Sequence, residues 1–163
     1  MHPQMADRPQ PLSDVEILAQ PSDQSIRALL AYWMAKRGDR TVPLRQDIDP
    51  IALKDHLPSL FMLDVLDEGR DFRYRLVGTM IAAMSGRDVT GAKLRTLYEA
   101  YPDALAEIAR LFGPVISERR PVFARGTVFW RPERDYRRFE AGYFPLSTGG
   151  ETVDIILSEI RFL

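Results

Sequence analysis

The chain contains no cysteine. That absence removes disulfides, thiolate metal sites, a cysteine nucleophile and any thiol-based redox switch. Histidine is scarce as well. Of the two present, His2 lies in a polar, proline-rich start and His56 lies beside Asp55 near a predicted helix end. Neighbouring residues on a helix do not face each other, so Asp55 and His56 make a poor acid–base pair. A metal site needs several convergent ligands, which this spacing does not supply. No apolar run approaches the roughly 20 residues of a membrane span. The opening MHPQMADRPQPLSD lacks the apolar stretch of a signal peptide, so a cytoplasmic protein away from the membrane is expected. The net charge of −1 provides no overall field toward nucleic acid or acidic lipid. Gly-x-Ser-x-Gly, Walker and HExxH motifs are missing too, and Gly78 and Gly86 stand too far apart for a phosphate loop.

What is present suits one globular domain: 163 residues, of which 45% are hydrophobic. Residues 1–22 carry four prolines and little to bury, which reads as a mobile arm before a domain at 23–163. Ile26, Leu29, Leu30, Trp33 and Met34 then form one apolar helical stripe, ended at Gly38. Packing of this stripe on its own domain and sharing of it with a second copy both remain open, with Leu29, Leu30 and Trp33 as the contact residues. Asp49 and Pro50 predict a short helix that runs toward Leu57 and stops before Pro58. Ser59–Leu66 and Phe72–Gly78 read as a hairpin across Asp67-Glu68-Gly69-Arg70. In the second strand, Phe72, Tyr74 and Leu76 alternate with Arg73, Arg75 and Val77. Met80, Ile81, Ala83 and Met84 fit a short helix between Gly78 and Gly86. The longest helix opens at Pro102 and reaches Arg120, and its stripe survives Gly113-Pro114, which predicts one kinked helix. Strands are expected at 122–130, 136–146 and 152–162. In the last, Val153, Ile155 and Leu157 oppose Ile156, Ile160 and Phe162, so both faces of the sheet need a cover.

Several short motifs carry a family resemblance. They are Tyr32-Trp33, Pro43 and Arg45, the DIDP of Asp47 to Pro50, the HLP of His56 to Pro58, FRYRLVGT from Phe72, and the GRDVTG of Gly86 to Gly91. In this order and spacing, from about residue 25 to the end, the chain resembles the PAS domain superfamily, in particular a bacterial single-domain family of largely unassigned function. The resemblance implies an α+β fold with a five-stranded antiparallel sheet, helices over one face, and a role in sensing or interaction. It also constrains cofactors. Flavin-type light sensors of this superfamily place a cysteine in the segment that resembles GRDVTG; this chain has Val89 near that place. Haem-binding members commonly use a histidine on the long helix, and residues 102–120 contain none. A thiol–flavin adduct and haem are therefore disfavoured; non-covalent flavin or another small molecule stays open, and the cofactor is unassigned.

In a fold of that kind Tyr74, Met84, Phe112, Trp130 and Tyr143 belong to elements that can line a space between sheet and helices. Core packing is the default reading of such residues, and because buried tyrosine and tryptophan bring polar groups that need partners, a mixed pocket stays open beside it. Seven arginines between Ser117 and Glu140 are interleaved with four acids, the pattern of a solvated face, so nucleic acid is not expected as a partner. The expected function is a sensory, non-catalytic domain that takes a small molecule or a protein partner, a second copy included, with output through another chain. A purely structural interaction domain is the runner-up, and a small enzyme on a similar curved sheet is third.

Overall fold

Apolar side chains on both faces of the C-terminal strands require two covers, and the computed structural model, which describes residues 14–130 and 137–163, supplies both. Six strands form one antiparallel sheet in the order β1-β4-β5-β6-β2-β3. They are β1 (Glu16–Leu18), β2 (Leu60–Leu66), β3 (Asp71–Val77), β4 (Val122–Thr127), β5 (Arg138–Leu146) and β6 (Ile155–Phe162). Helices α2 (Thr79–Ser85), α3 (Leu94–Leu97) and α4 (Pro102–Ser117) lie between β3 and β4 in sequence, and α1 (Gln24–Arg37) follows β1.

The alternation in β6 sorts the core as its sequence requires. Ile156, Ile160 and Phe162 join a cluster with Ile81, Leu94, Ile108, Leu111, Phe112 and Val115 of α2, α3 and α4. Val153, Ile155 and Leu157 join Ile26, Leu29 and Trp33 of α1 on the opposite face. Asp23 caps α1, its carboxylate accepting from the backbone N–H groups of Ser25 and Ile26. Ile26, Leu29 and Trp33 of the α1 stripe pack on its own sheet, whereas Met34 is 48% exposed. Leu29 and Trp33 are buried, and the Trp33 indole donates to the Pro145 carbonyl at 2.9 Å. Neither is available to a second copy, which corrects their reading as interface residues; Leu30 is half-buried against the same cluster. Helix α4 passes through Pro114 as one element, with Ile108, Phe112 and Val115 in the same cluster.

Four expectations change. The sheet has six strands rather than five, because β1 pairs with β4 within the segment read as a mobile arm. The Asp14 carboxylate beside it accepts from the Thr127 N–H and hydroxyl and pairs with Arg138, contacts that hold its pKa below the ordinary carboxylate value. Three residues between prolines are too short to show a strand period. Residues 1–13 lie outside the described residues, as does the loop expected at 131–135. Second, the register of β2 against β3 shifts between Met62 and Leu63, leaving Arg75 as the extra residue of a bulge. Phe72 and Tyr74 thus face α4, whereas Leu76 faces the α1 side and Val77 returns to the α4 side. Third, the segment after Pro50 forms successive turns, and a 3-10 turn at Leu57–Ser59 contains Pro58 rather than ending before it. Fourth, the strands from β4 onward are shorter than expected, with Val128 to Trp130 beyond β4.

Gly78 joins β3 to α2 where backbone crosses backbone. A Cβ there would stand 2.5 Å from the Pro58 carbonyl oxygen and 2.7 Å from that of Leu60, with the Leu57 oxygen closer still. No side chain can yield at such a site. Gly78→Ala is expected to cost about 3 kcal/mol, the upper range of overpacking. Gly113→Ala, on the open side of α4 with nothing within 4 Å, is expected to gain about 0.5–1 kcal/mol. Urea unfolding of the two variants checks the pair.

Candidate functional site

Two polar or open sites distinguish the two faces. On the α1 face, Glu140 and Glu159 are fully buried carboxylates on adjacent strands. Glu140 accepts from the N–H groups of Ser22 (3.0 Å) and Asp23 (2.7 Å) and from the Ser22 hydroxyl, fixing the chain just before α1. Glu159 accepts from the hydroxyls of Ser25 (2.9 Å) and Ser59 (2.7 Å), and the Nδ1 of His56 lies 3.0 Å from its Oε1. His56 thus meets Glu159 from a distant strand and not its neighbour Asp55. Ser25 and Glu159 both meet the same ring nitrogen, so this is not a relay in which one imidazole nitrogen binds an acid and the other a nucleophile. The network pins α1 and the 3-10 turn to β6.

On the other face, a cavity of about 50 Å³ lies between the sheet and α2–α4. Tyr74, Met84, Phe112, Trp130 and Tyr143 all line it. Aromatic edges build its wall: Phe112 contacts Phe72 and Tyr143 with centroids 5.0 Å apart, and Phe61 contacts Tyr74 at 5.8 Å. Ile81 from α2 and Leu111 from α4 complete the apolar lining. A second cavity of about 110 Å³ abuts the first. Both are lined by Tyr74, Ser85, Tyr98 and Trp130, and the outer one adds Arg87, Val89 and Leu97.

The GRDVTG segment shapes this mouth. Gly86 ends α2 in the left-handed conformation. The Asp88 carboxylate accepts from the N–H (2.9 Å) and hydroxyl (2.6 Å) of Thr90, bonds that lower its pKa. Gly91, at φ +87°, turns its N–H onto the Tyr74 carbonyl at 2.7 Å, and Tyr74 N–H donates to Ala92 at 3.0 Å. The loop is thereby held along β3 beside Tyr74, and Val89 is buried.

The cavity holds phenols as neutral donors. Burial pushes the Tyr74 phenol well above its usual pKa, and a hydrogen bond with Tyr98 adds to the effect. Burial, with the Glu107 carboxylate nearby, does the same to Tyr143. Glu107 is paired with Arg110. Tyr143 is 3% exposed and lines the cavity. Its cross-strand neighbour Ser158 has a buried hydroxyl without a partner among the described residues. Buried polar groups are ordinarily satisfied, so the inner end of this cavity has unused hydrogen-bonding capacity.

All five residues selected from the sequence therefore converge. Tyr98, Ser85, Ile81 and Arg87 were missed. Tyr98 sits in a one-turn helix after a loop, and a single tyrosine there carries no periodic signal. The inner volume suffices for about three or four waters. A flavin or porphyrin ring exceeds it unless the walls move. The sequence profile of the PAS domain family matches residues 22–158. No curated protein and no solved structure matches the chain.

The buried phenols give a pH prediction. A tyrosine whose folded pKa exceeds its unfolded value keeps its proton in the native state while the unfolded chain loses it. Stability is thus unaffected below the ordinary value near 10 and falls as pH rises above it. In an absorbance titration of the six tyrosines, Tyr74 and Tyr143 are expected to ionise only as the protein unfolds, and Tyr143→Phe is expected to soften the alkaline loss. Reversible ionisation of all six in the folded protein near pH 10 would contradict this.

Proposed function

The chain belongs to the PAS domain family, and from that premise we propose that it is a small-molecule receptor whose cavity between sheet and α2–α4 is the ligand site. The observation that carries the proposal is the cavity's polarity. Its wall is apolar and aromatic, while Tyr74, Tyr98 and Tyr143 bring phenol groups to its lining, and the hydroxyl of Ser158, the cross-strand neighbour of Tyr143, is buried without a partner among the described residues. A few convergent polar groups in an apolar concavity is the usual chemistry of a ligand pocket. In this reading the domain is non-catalytic and cytoplasmic, and its output passes through association with another chain. Among the described residues no helix is long and apolar enough to cross a membrane.

A second reading rests on the small inner volume: a domain with a filled core that serves only as an interaction surface. A substitution at Met84 separates the two. Met84 lies half-buried in the wall and is a flexible filler of irregular space. If the cavity opens to a ligand, Met84→Trp is expected to fold, and small molecules released from denatured wild-type protein and identified by mass spectrometry are expected to be missing from the variant. Bound ligand at one hundred times its dissociation constant stabilises the fold by about 2.7 kcal/mol. If the core is filled, the wild type releases nothing, and Met84→Trp overpacks the interior at a cost of about 1–3 kcal/mol.

A further inference from the structure

The cavity and its mouth are polarised along their length. The inner end holds the Tyr143 hydroxyl, with the unsatisfied Ser158 hydroxyl behind it on the same face of the sheet. The middle is flanked by the rings of Phe61, Phe112 and Trp130. The outer end holds Arg87, the one charged residue among the described residues that line either space. Arg87 makes no ion pair among the described residues. A second guanidinium, that of Arg137, lies at the rim, 3.3 Å from the Met84 sulfur and over the Phe162 ring, and it too lacks a carboxylate partner among the described residues. Among the described residues no carboxylate lines either space. Volume narrows the candidates further. The two spaces, about 50 and about 110 Å³, are jointly close to the cavity of about 150 Å³ that admits a benzene molecule. That matches the size of one ring.

From this arrangement we infer that the ligand is a one-ring aromatic acid with a hydroxyl or carbonyl opposite its acid group. The inference rests on the receptor reading above and names its ligand class. The ring lies among Phe61, Phe112 and Trp130. The acid group meets Arg87 at the mouth, where charge-assisted hydrogen bonds to a carboxylate are strong. The opposite oxygen meets the Tyr143 hydroxyl, a donor in the lining at the inner end. The phenols stay neutral, so they offer donors and add no negative charge against an anion.

Thermal unfolding with 4-hydroxybenzoate, benzoate and toluene tests this on the intact chain, with dissociation constants from calorimetry. Saturating 4-hydroxybenzoate, at about one hundred times its dissociation constant, is expected to raise the Tm by about 5–10 °C. Benzoate is expected to bind about three- to tenfold more weakly for want of the hydroxyl, and toluene more weakly again. Arg87→Gln, at an exposed position, is expected to weaken both acids by about tenfold or more and to leave toluene unchanged. Tyr143→Phe is expected to erase the difference between 4-hydroxybenzoate and benzoate. Toluene binding as tightly as the acids, or Arg87→Gln leaving them unchanged, would overturn the ligand class while leaving the cavity as a receptor site. Failure of all three probes to bind would overturn the ligand class, and the receptor reading itself falls only if the wild type also releases no small molecule on denaturation.

Discussion

Neither face of the paired strands β5 and β6 is left to water, and the positions of the helices follow from that constraint. From Phe139 to Leu146 and from Ile155 to Ile160 every residue is buried. Half of those side chains point to α1 and half to α2–α4, so removal of either layer would expose an apolar sheet. The constraint extends to two carboxylates. Glu140 and Glu159 lie in the same strands with no exposure and remain tolerable because Ser22, Asp23, Ser25, Ser59 and His56 surround them. Loss of one hydrogen-bond partner that leaves a buried acceptor unsatisfied costs about 1–3 kcal/mol. The approach of α1 to the sheet is thereby fixed at its N-terminus by polar contacts and along its length by Ile26, Leu29 and Trp33.

The two layers differ in how completely they pack. On the α1 side Trp33, Phe123 and Phe144 meet ring to ring, and Gly142 makes room for Ile26. On the other side, α2 and α3 are short, and the phenols of Tyr74, Tyr98 and Tyr143 converge where a fully apolar core would close. Polar groups with too few partners are costly in a filled interior and useful in a pocket that exchanges its contents. The same strands serve both layers: Tyr143 lines the cavity three residues from buried Glu140, and Ile160 lines it next to Glu159. A change in the cavity and a change at the start of α1 are thus separated by a single sheet.

Much of this was legible in the residues. The period of two in Val153 to Phe162 announced both covers, and the α4 stripe across Gly113-Pro114 held because one missing hydrogen bond is outweighed by Ile108, Phe112 and Val115 packing together. The five cavity residues were found because tyrosine, tryptophan and methionine are chemically conspicuous on elements of known order. Other features left no local signal. β1 is short and exists only because β4 offers it an edge. The bulge at Arg75 reverses Leu76 and Val77 through pairing with β2, which no pattern within β3 reveals. His56 has only Asp55 beside it in sequence, a poor partner on a helix, whereas the fold supplies Glu159 from 103 residues away. Arg87 carries no signal of its own in the sequence, and it is the loop after α2 that places it at the mouth.

The two tryptophans report on the two faces separately: Trp130 lines the cavity, and Trp33 is buried under α1. Their indole N–H resonances during a titration with one-ring aromatic fragments therefore test most directly whether the cavity is the binding site. The account requires the Trp130 signal to move and saturate while the Trp33 signal, held by the Pro145 carbonyl, stays within its line width. Saturable movement of Trp33 with Trp130 unmoved would place binding on the wrong face and contradict it.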